Sequence, residues 1–290
     1  MRKLPERIQK AVNRYRPVSV EGIVFYPVLM EEWDEFAKTL PVLDFLPQSL
    51  PVALAKMPLL EAFHAIEMTN RWLKEKEPEK ITEPIFEPLT LASLLLILAL
   101  RLGQGEKAEA RLERCMIDYT GDRFNGLVLR GNDGEAIDIT PRLFQRLRPI
   151  LAAQNGVELE SEDANPEIVK AEQQIAAQRA PKLKPDPVSR ISWVAYKCGI
   201  DEDEIYSWPI AKFTRRERVI RVDENYLACQ IGQMSGMVDW KKSGGPPFPH
   251  PYLERDQELL ASVEIGSIGG GAAKKAMDAA LAQTNSNKKE

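Results

Sequence analysis

The 290-residue chain is 44% hydrophobic and 28% charged, a composition that can bury a sizeable core and excludes wholesale disorder. Its 39 basic and 43 acidic residues leave a net charge of −4, with no long-range field to hold a polyanion, so nucleic acid is a poor partner. Three widely spaced cysteines, Cys115, Cys198 and Cys229, form no C-x-x-C pair, which argues against a disulfide framework or a thiolate metal site and for a reducing compartment.

The opening stretch is basic and lacks the apolar run of a secretory signal. Leu4, Ile8 and Val12 stand four apart, predicting a short amphipathic helix packed on the body. Gly22 to Pro27 reads as a short extended segment, with Pro27 arguing for an edge position. Glu31 to Leu40 carries Trp33, Phe36, Ala37 and Leu40 on one helix face. Met57 to Leu73 repeats that pattern through Leu59, Leu60, Phe63, Ile66 and Trp72. Prolines at 41, 47, 51 and 58 cut the intervening stretch into short pieces. Leu89 to Leu102 is the longest apolar run, and at ~1.5 Å per residue it falls short of a ~30 Å hydrocarbon core. A buried central helix, starting near Pro88 and stopped by Gly103, is the expectation. Residues 1–108 thus read as a mainly helical N-terminal region with a short edge strand.

Residues 109–160 change character. Cys115 to Tyr119, Leu127 to Arg130 and Glu135 to Ile139 predict a three-stranded meander, with turns at Thr120–Asp122 and Gly131–Gly134. Thr140 as N-cap and Pro141 at the first helical position open a helix whose apolar face is Leu143, Phe144, Leu147, Ile150 and Leu151. Pro149 is expected to kink or shorten it, and Asn155-Gly156 to stop it. This region is expected to pack with the N-terminal one.

Residues 161–187 are expected to hold an exposed helix from Asn165-Pro166 and a proline-rich linker, Ala180 to Pro187. From 188 to 262 a helical C-terminal domain follows. It contains a helix from Val188 to Cys198 stopped by Gly199, a short one capped by Asp201 with Glu204, and a long one from Pro209 to Ser235-Gly236. Residues 263–290 read as a flexible tail. The fold class predicted is mainly α with a small antiparallel β meander (α+β), with the helical C-terminal domain after the proline-rich linker.

The chain contains two histidines, His64 and His250, and neither stands in a pattern with cysteine or carboxylate that a metal site needs. No nucleophile elbow, zinc-protease helix, phosphate loop or dinucleotide fingerprint is present. Acidic clusters at 31–34, 160–163 and 201–204 sit at helix starts, where carboxylates favour the macrodipole. A basic stripe, Lys212, Arg215, Arg216, Arg218 and Arg221, is interrupted by Glu217, Asp223 and Glu224 and reads as a solvated or protein-facing patch. No catalytic, cofactor or metal residues are assigned. In a chain only 7% aromatic, the segment from Trp193 to Tyr226 is dense in rings. Trp193, Tyr196, Tyr206, Trp208, Phe213, Arg216 and Tyr226 are therefore the candidate protein-binding residues, against the alternative that they form the local core.

Two stretches carry a resemblance. Ile191 to Phe213, continued by Tyr226 to Trp240, resembles tail assembly chaperone-like proteins of tailed bacteriophages and prophages. Ile139 to Asn155, with Asn165 to Ile168, is similar to the middle of longer prophage tail-region proteins that also begin with an extended Tyr-Pro segment. Together these stretches make up 59 of the 290 residues and are patterns of hydrophobic and turn residues. The resemblance implies a non-enzymatic factor in tail morphogenesis, acting in the host cytoplasm. Its implied partners are the tape-measure protein and the tail-tube subunit, with no nucleic acid, membrane or cofactor, and self-association left open. The alternative is a structural component of the mature tail or baseplate, located in the virion.

Overall fold

A computed structural model describes residues 4–47, 50–80, 85–159 and 186–236. The chain divides into two compact units, residues 1–216 and 217–290. The described architecture is mainly helical with two small antiparallel sheets.

Helix α1 (Glu6–Asn13) leads into a hairpin of β1 (Val18–Val20) and β2 (Ile23–Phe25), registered Val18 opposite Phe25. The two-residue turn Glu21-Gly22 has φ of 52° and 86°, the left-handed pair that matches the twist of adjoining strands. Sequence pattern had suggested one extended segment here; a three-residue strand is too short to show alternation, so its partner β1 left no signal. Helix α1 packs as expected: Val12, Val18 and Ile150 form a buried cluster, with Leu4, Ile8, Ala11, Val20 and Ala153 against it.

After β2 the chain stays extended to Met30, and this segment is the spine of the first unit. Tyr26 N–H donates to Ala99 O (2.7 Å), and Gln154 Nε2 donates to Phe25 O (3.2 Å). Val28 N–H reaches Asn155 Oδ1 (2.9 Å). On the other side Ile210 N–H donates to Val28 O (2.9 Å) and Met30 N–H to Trp208 O (2.8 Å), an antiparallel bridge of Leu29 with Pro209. A buried stretch of backbone needs every such partner. The side-chain amides of Gln154 and Asn155 supply them where no strand does.

A 3₁₀ turn (Met30–Glu32) precedes α2 (Trp33–Leu43), which continues through Pro41 rather than ending at Leu40. Its buried residues are Phe36, Thr39, Val42 and Leu43. At its C-terminus Arg148, itself buried, donates to Leu43 O through Nη2 (2.6 Å) and Nε (3.0 Å), and also to Phe45 O, satisfying carbonyls that have no partner within a helix. Short α3 (Val52–Ala55) leads to α4 (Leu59–Lys76), which buries Leu59, Leu60, Ala62, Phe63 and Glu67. Trp72, expected on the apolar face, is 53% exposed. Glu67 is buried because it caps the next helix. Its carboxylate accepts from Thr90 N–H (3.0 Å), Thr90 Oγ1 (2.9 Å) and Arg71 Nη2 (2.8 Å). A carboxylate at a helix N-terminus satisfies orphan donors and opposes the positive dipole end.

The capped helix is α5 (Pro88–Ala99), the apolar run of the sequence, and every residue from Leu94 to Ala99 is buried. It packs against α2, α4 and α6 (Ala108–Leu112), which explains why it is apolar on all sides. Burying each of its leucines contributes about 1.5–3 kcal/mol. Among the described residues no helix is long and apolar enough to cross a membrane.

The predicted meander is present as β3 (Cys115–Thr120), β4 (Arg123–Arg130) and β5 (Ala136–Ile139), in that order across the sheet. Leu127, Leu129 and Ile139 are buried on one face. Helix α7 (Pro141–Gln154) follows, and Thr140 Oγ1 accepts from Leu143 N–H at 3.2 Å as its N-cap. The helix runs unbroken past Pro149. Thr140→Ala should lower stability by about 1 kcal/mol, read as a shift in the urea midpoint at unchanged slope.

Helices α8 (Pro187–Cys198) and α9 (Glu202–Tyr206) begin at caps, Asp186 accepting from Ser189 N–H and Asp201 from Asp203 N–H. Gly199 stops α8 with φ 65°. The long α10 (Ile210–Met234) follows, and the division between the two units falls inside it. Residues 187–216 therefore belong to the first unit, tied in through Trp208 and Ile210, where the sequence had suggested a separate domain from 188. The proposed helix of 165–179, the linker up to Lys184-Pro185, the 243–251 stretch and the tail 263–290 lie outside the described residues.

Candidate protein-binding surface

The seven residues singled out from the sequence separate into buried and exposed groups. Phe213 and Trp208 are 2% and 6% exposed, members of the first unit's core. Trp208 Nε1 donates to Glu204 Oε1 (3.3 Å), and Lys212 Nζ stands 3.6 Å from its ring centroid. Burial is the largest cause holding the Lys212 amine below the usual lysine range, with Arg216 adding to it and Glu204 opposing. The guanidinium of Arg190 lies 5.8 Å from the Trp33 ring and 5.7 Å from Phe213, so a cation sits between α2 and α10. These contacts make Trp208 and Phe213 internal struts. Trp193 and Tyr206 are half-buried, Arg216 is exposed, and Tyr196 is 82% exposed on α8 together with Val188.

Tyr226 is half-buried and belongs to the second unit. In that unit the described part of α10 presents a more continuous apolar feature that the aromatic count missed. Val219, Leu227, Ile231 and Met234 are all exposed, Met234 at 86%. At 3.6 residues per turn Leu227, Ile231 and Met234 fall within roughly a sixth of the helix circumference, while exposed Asp223 separates Val219 from them on the same side. From Asn225 to Gly236 the helix has no charged residue. The signal was available in the sequence as spacing, since Leu227, Ile231 and Met234 stand at i, i+4 and i+7, but it is weaker to the eye than a tryptophan.

The acidic cluster of 31–34 is dispersed. Glu32 is buried, and its Oε1 accepts from Arg111 Nη1 at 2.8 Å; the same nitrogen reaches Glu35 Oε2 at 3.2 Å. Arg111 Nε donates to Gly103 O (2.9 Å). Burial, the largest cause, pushes the Glu32 carboxyl above its ordinary value against the pull of Arg111. His64 stacks on Phe124 (centroids 4.5 Å apart, 18° between planes) and shares a hydrogen bond with Tyr119 Oη at 2.8 Å. Partial burial lowers its basicity. Both groups join one element to another: Arg111 binds α6 to the start of α2, and His64 binds α4 to the sheet. Among the described residues no three His, Cys, Asp or Glu side chains converge as metal ligands. His250 and the acids of 160–163 lie outside the described residues.

No family model, curated protein or solved structure matches the chain.

Leu227, Ile231 and Met234 form an exposed apolar helix face on a stretch of α10 without charged residues. Such a face has no chemistry to offer a substrate, but it excludes water when a second apolar surface meets it.

Proposed function

We propose that the chain is a protein-binding factor of bacteriophage tail morphogenesis, an assembly chaperone that holds the tape-measure protein before tube subunits enclose it. The reading rests on the resemblance of 139–168 and 191–240 to tail-region proteins. The observation that favours a binding role is the exposed face of Leu227, Ile231 and Met234, which lies within the second of those stretches. A helix face of this kind takes up a partner helix through anchors at i, i+4 and i+7.

Co-expression of the full chain with the tape-measure protein, followed by affinity capture, tests the reading. The wild-type chain should retain the partner. Ile231→Glu combined with Met234→Glu should lose most of it while keeping the same circular dichroism and urea midpoint, because both side chains are exposed. Absence of any complex under conditions where tubes assemble removes the reading. Mass spectrometry of purified particles distinguishes a chaperone, scarce there, from a component of the mature tail or baseplate.

A further inference from the structure

The β3 edge of the three-stranded sheet lies in the first unit, apart from the helix face above. The hydrogen bond from Arg130 N–H to Arg114 O (2.9 Å) makes these two residues a hydrogen-bonded pair. By alternation, Met116 and Asp118 direct their backbone groups toward β4, and Cys115 and Ile117 direct theirs to the outer edge. Gly131 N–H to Glu135 O (2.7 Å) fixes the same parity on the other side of β4. Among the described residues no strand pairs with β3 on its outer side. Met116 and Tyr119, at 53% and 45% exposure, stand beside this open edge.

The solvent face of the sheet is hollow at one end, where Asp118 and Asp138 stand without a basic neighbour in the lining, and carries Arg114 and Arg130 at the other. Gly126 lies opposite Asp118, and Val128 opposite Asp138. Because Gly126 has no side chain, a concavity of about 240 Å³ opens between Asp118, Asn125, Val128, Asp138 and Thr140. A β-carbon at Gly126 would come within 2.4 Å of Ile139 O, so the neighbouring strand excludes a side chain at this position. Asp118 accepts from Asn125 Nδ2; Asp138 makes no hydrogen bond or ion pair among the described residues.

From the open edge and the acidic hollow together we infer that β3 accepts an extended basic peptide as a fourth strand. Peptide backbone would pair with Cys115 and Ile117, and a lysine or arginine on the solvent side would reach over Asp118 into the hollow. Adjacent strands lie ~4.8 Å apart, so Asp118 is one spacing from the added strand and Gly126 two, within reach of a long basic side chain. The lining of the hollow, with two carboxylates and no basic residue, selects a basic side chain. Self-pairing of β3 about Ile117 or Asp118 sets the two Asp118 carboxylates diagonal or opposite, which repels. Self-pairing about Met116 instead sets each Asp118 opposite Arg114 of the other copy. A second copy is therefore the competing occupant that the test must separate. This inference does not depend on the assembly reading.

The test uses the full chain and a fluorophore-labelled synthetic peptide of alternating lysine and valine, followed by fluorescence anisotropy at low salt. The expected result is saturable binding that slows hydrogen exchange at the amides of residues 115 and 117. Asp118→Asn with Asp138→Asn should weaken it about fivefold, and added salt should weaken it further. An alternating glutamate–valine peptide should bind more weakly by a larger factor. A lysine–valine peptide with N-methyl groups on the edge-facing amides should not bind, a control that leaves the protein unaltered. Equal binding of the acidic or the N-methylated peptide would overturn the inference. So would a dimer of the full chain that protects the same two amides without peptide, which would make a second copy the occupant.

Discussion

Replacing Arg111 with methionine should destabilise the first unit by about 3–5 kcal/mol at neutral pH, the cost of leaving a buried charge without its partner. The guanidinium is 5% exposed, Glu32 7% and Glu35 24%, so water replaces little of what is lost. Gly103 O would also lose one of its two donors, keeping Glu106 N–H. The pH dependence has a definite sign. The Glu32 carboxyl titrates above its ordinary 4.5 in the folded chain, so the folded state holds its proton more tightly than the unfolded chain does. Stability from this group is therefore larger below the unfolded value and declines as pH rises through the folded one. Without Arg111 the carboxyl is pushed further up, so the variant should recover part of its loss on acidification from pH 7 to 5. Urea unfolding followed by tryptophan fluorescence at the two pH values measures this. Adding Glu32→Leu to Arg111→Met should restore part of the loss at pH 7, because the stranded charge is gone. Equal losses for single and double variants would show that Arg111 acts by packing alone.

Phe63→Ala should cost a similar amount, about 3–5 kcal/mol, through a different mechanism. Phe63 is fully buried, edge-on to Phe45 (5.1 Å, 85°) and tilted against Phe144 (6.4 Å, 69°). It stands where α4, α7 and the segment after α2 meet, so no single element can move in to fill the space. The expected readout is a lower urea midpoint with unchanged slope and no pH dependence between 5 and 7. That flat profile separates it from the Arg111 variant. Phe63→Leu, which keeps most of the volume, should recover more than half of the loss.

What the sequence made legible was what repeats at short range. The start and apolar run of α5, the meander with its turns, the Thr140 cap and the Gly199 stop depend on residues within a few positions of one another, and each stands where periodicity and capping chemistry placed it. The end of α5 does not, since the helix stops at Ala99 and Arg101 (φ 55°), not Gly103, takes the left-handed position after it. The departures share a cause. Arg148, Arg111 and Glu67 look like surface residues in any window of the chain, yet each is buried because its partner is distant: Leu43 for Arg148, Glu32 for Arg111 and Thr90 for Glu67. Trp72 looks like core but is exposed, since it stands about 140° round α4 from the buried Glu67. In the binding surface, large aromatics drew attention to Trp208 and Phe213, whose size is used in packing. Smaller aliphatic residues of α10 remained in solvent. A ring is informative about burial, and much less so about which surface does the burying.

The extended segment Phe25 to Met30 has a consequence for how the protein is made. Val28 bonds to Asn155 across 127 positions of chain, and its carbonyl is met only by Ile210, much farther on. A ribosome working at about 5–20 residues per second delivers the segment many seconds before residues 208–210 emerge to complete it. During that interval its backbone donors and acceptors are open to any passing strand. The nascent chain therefore carries this open backbone until α10 leaves the exit tunnel; a holding factor acting before that point would raise the yield of folded protein, and a translational pause there would lower it.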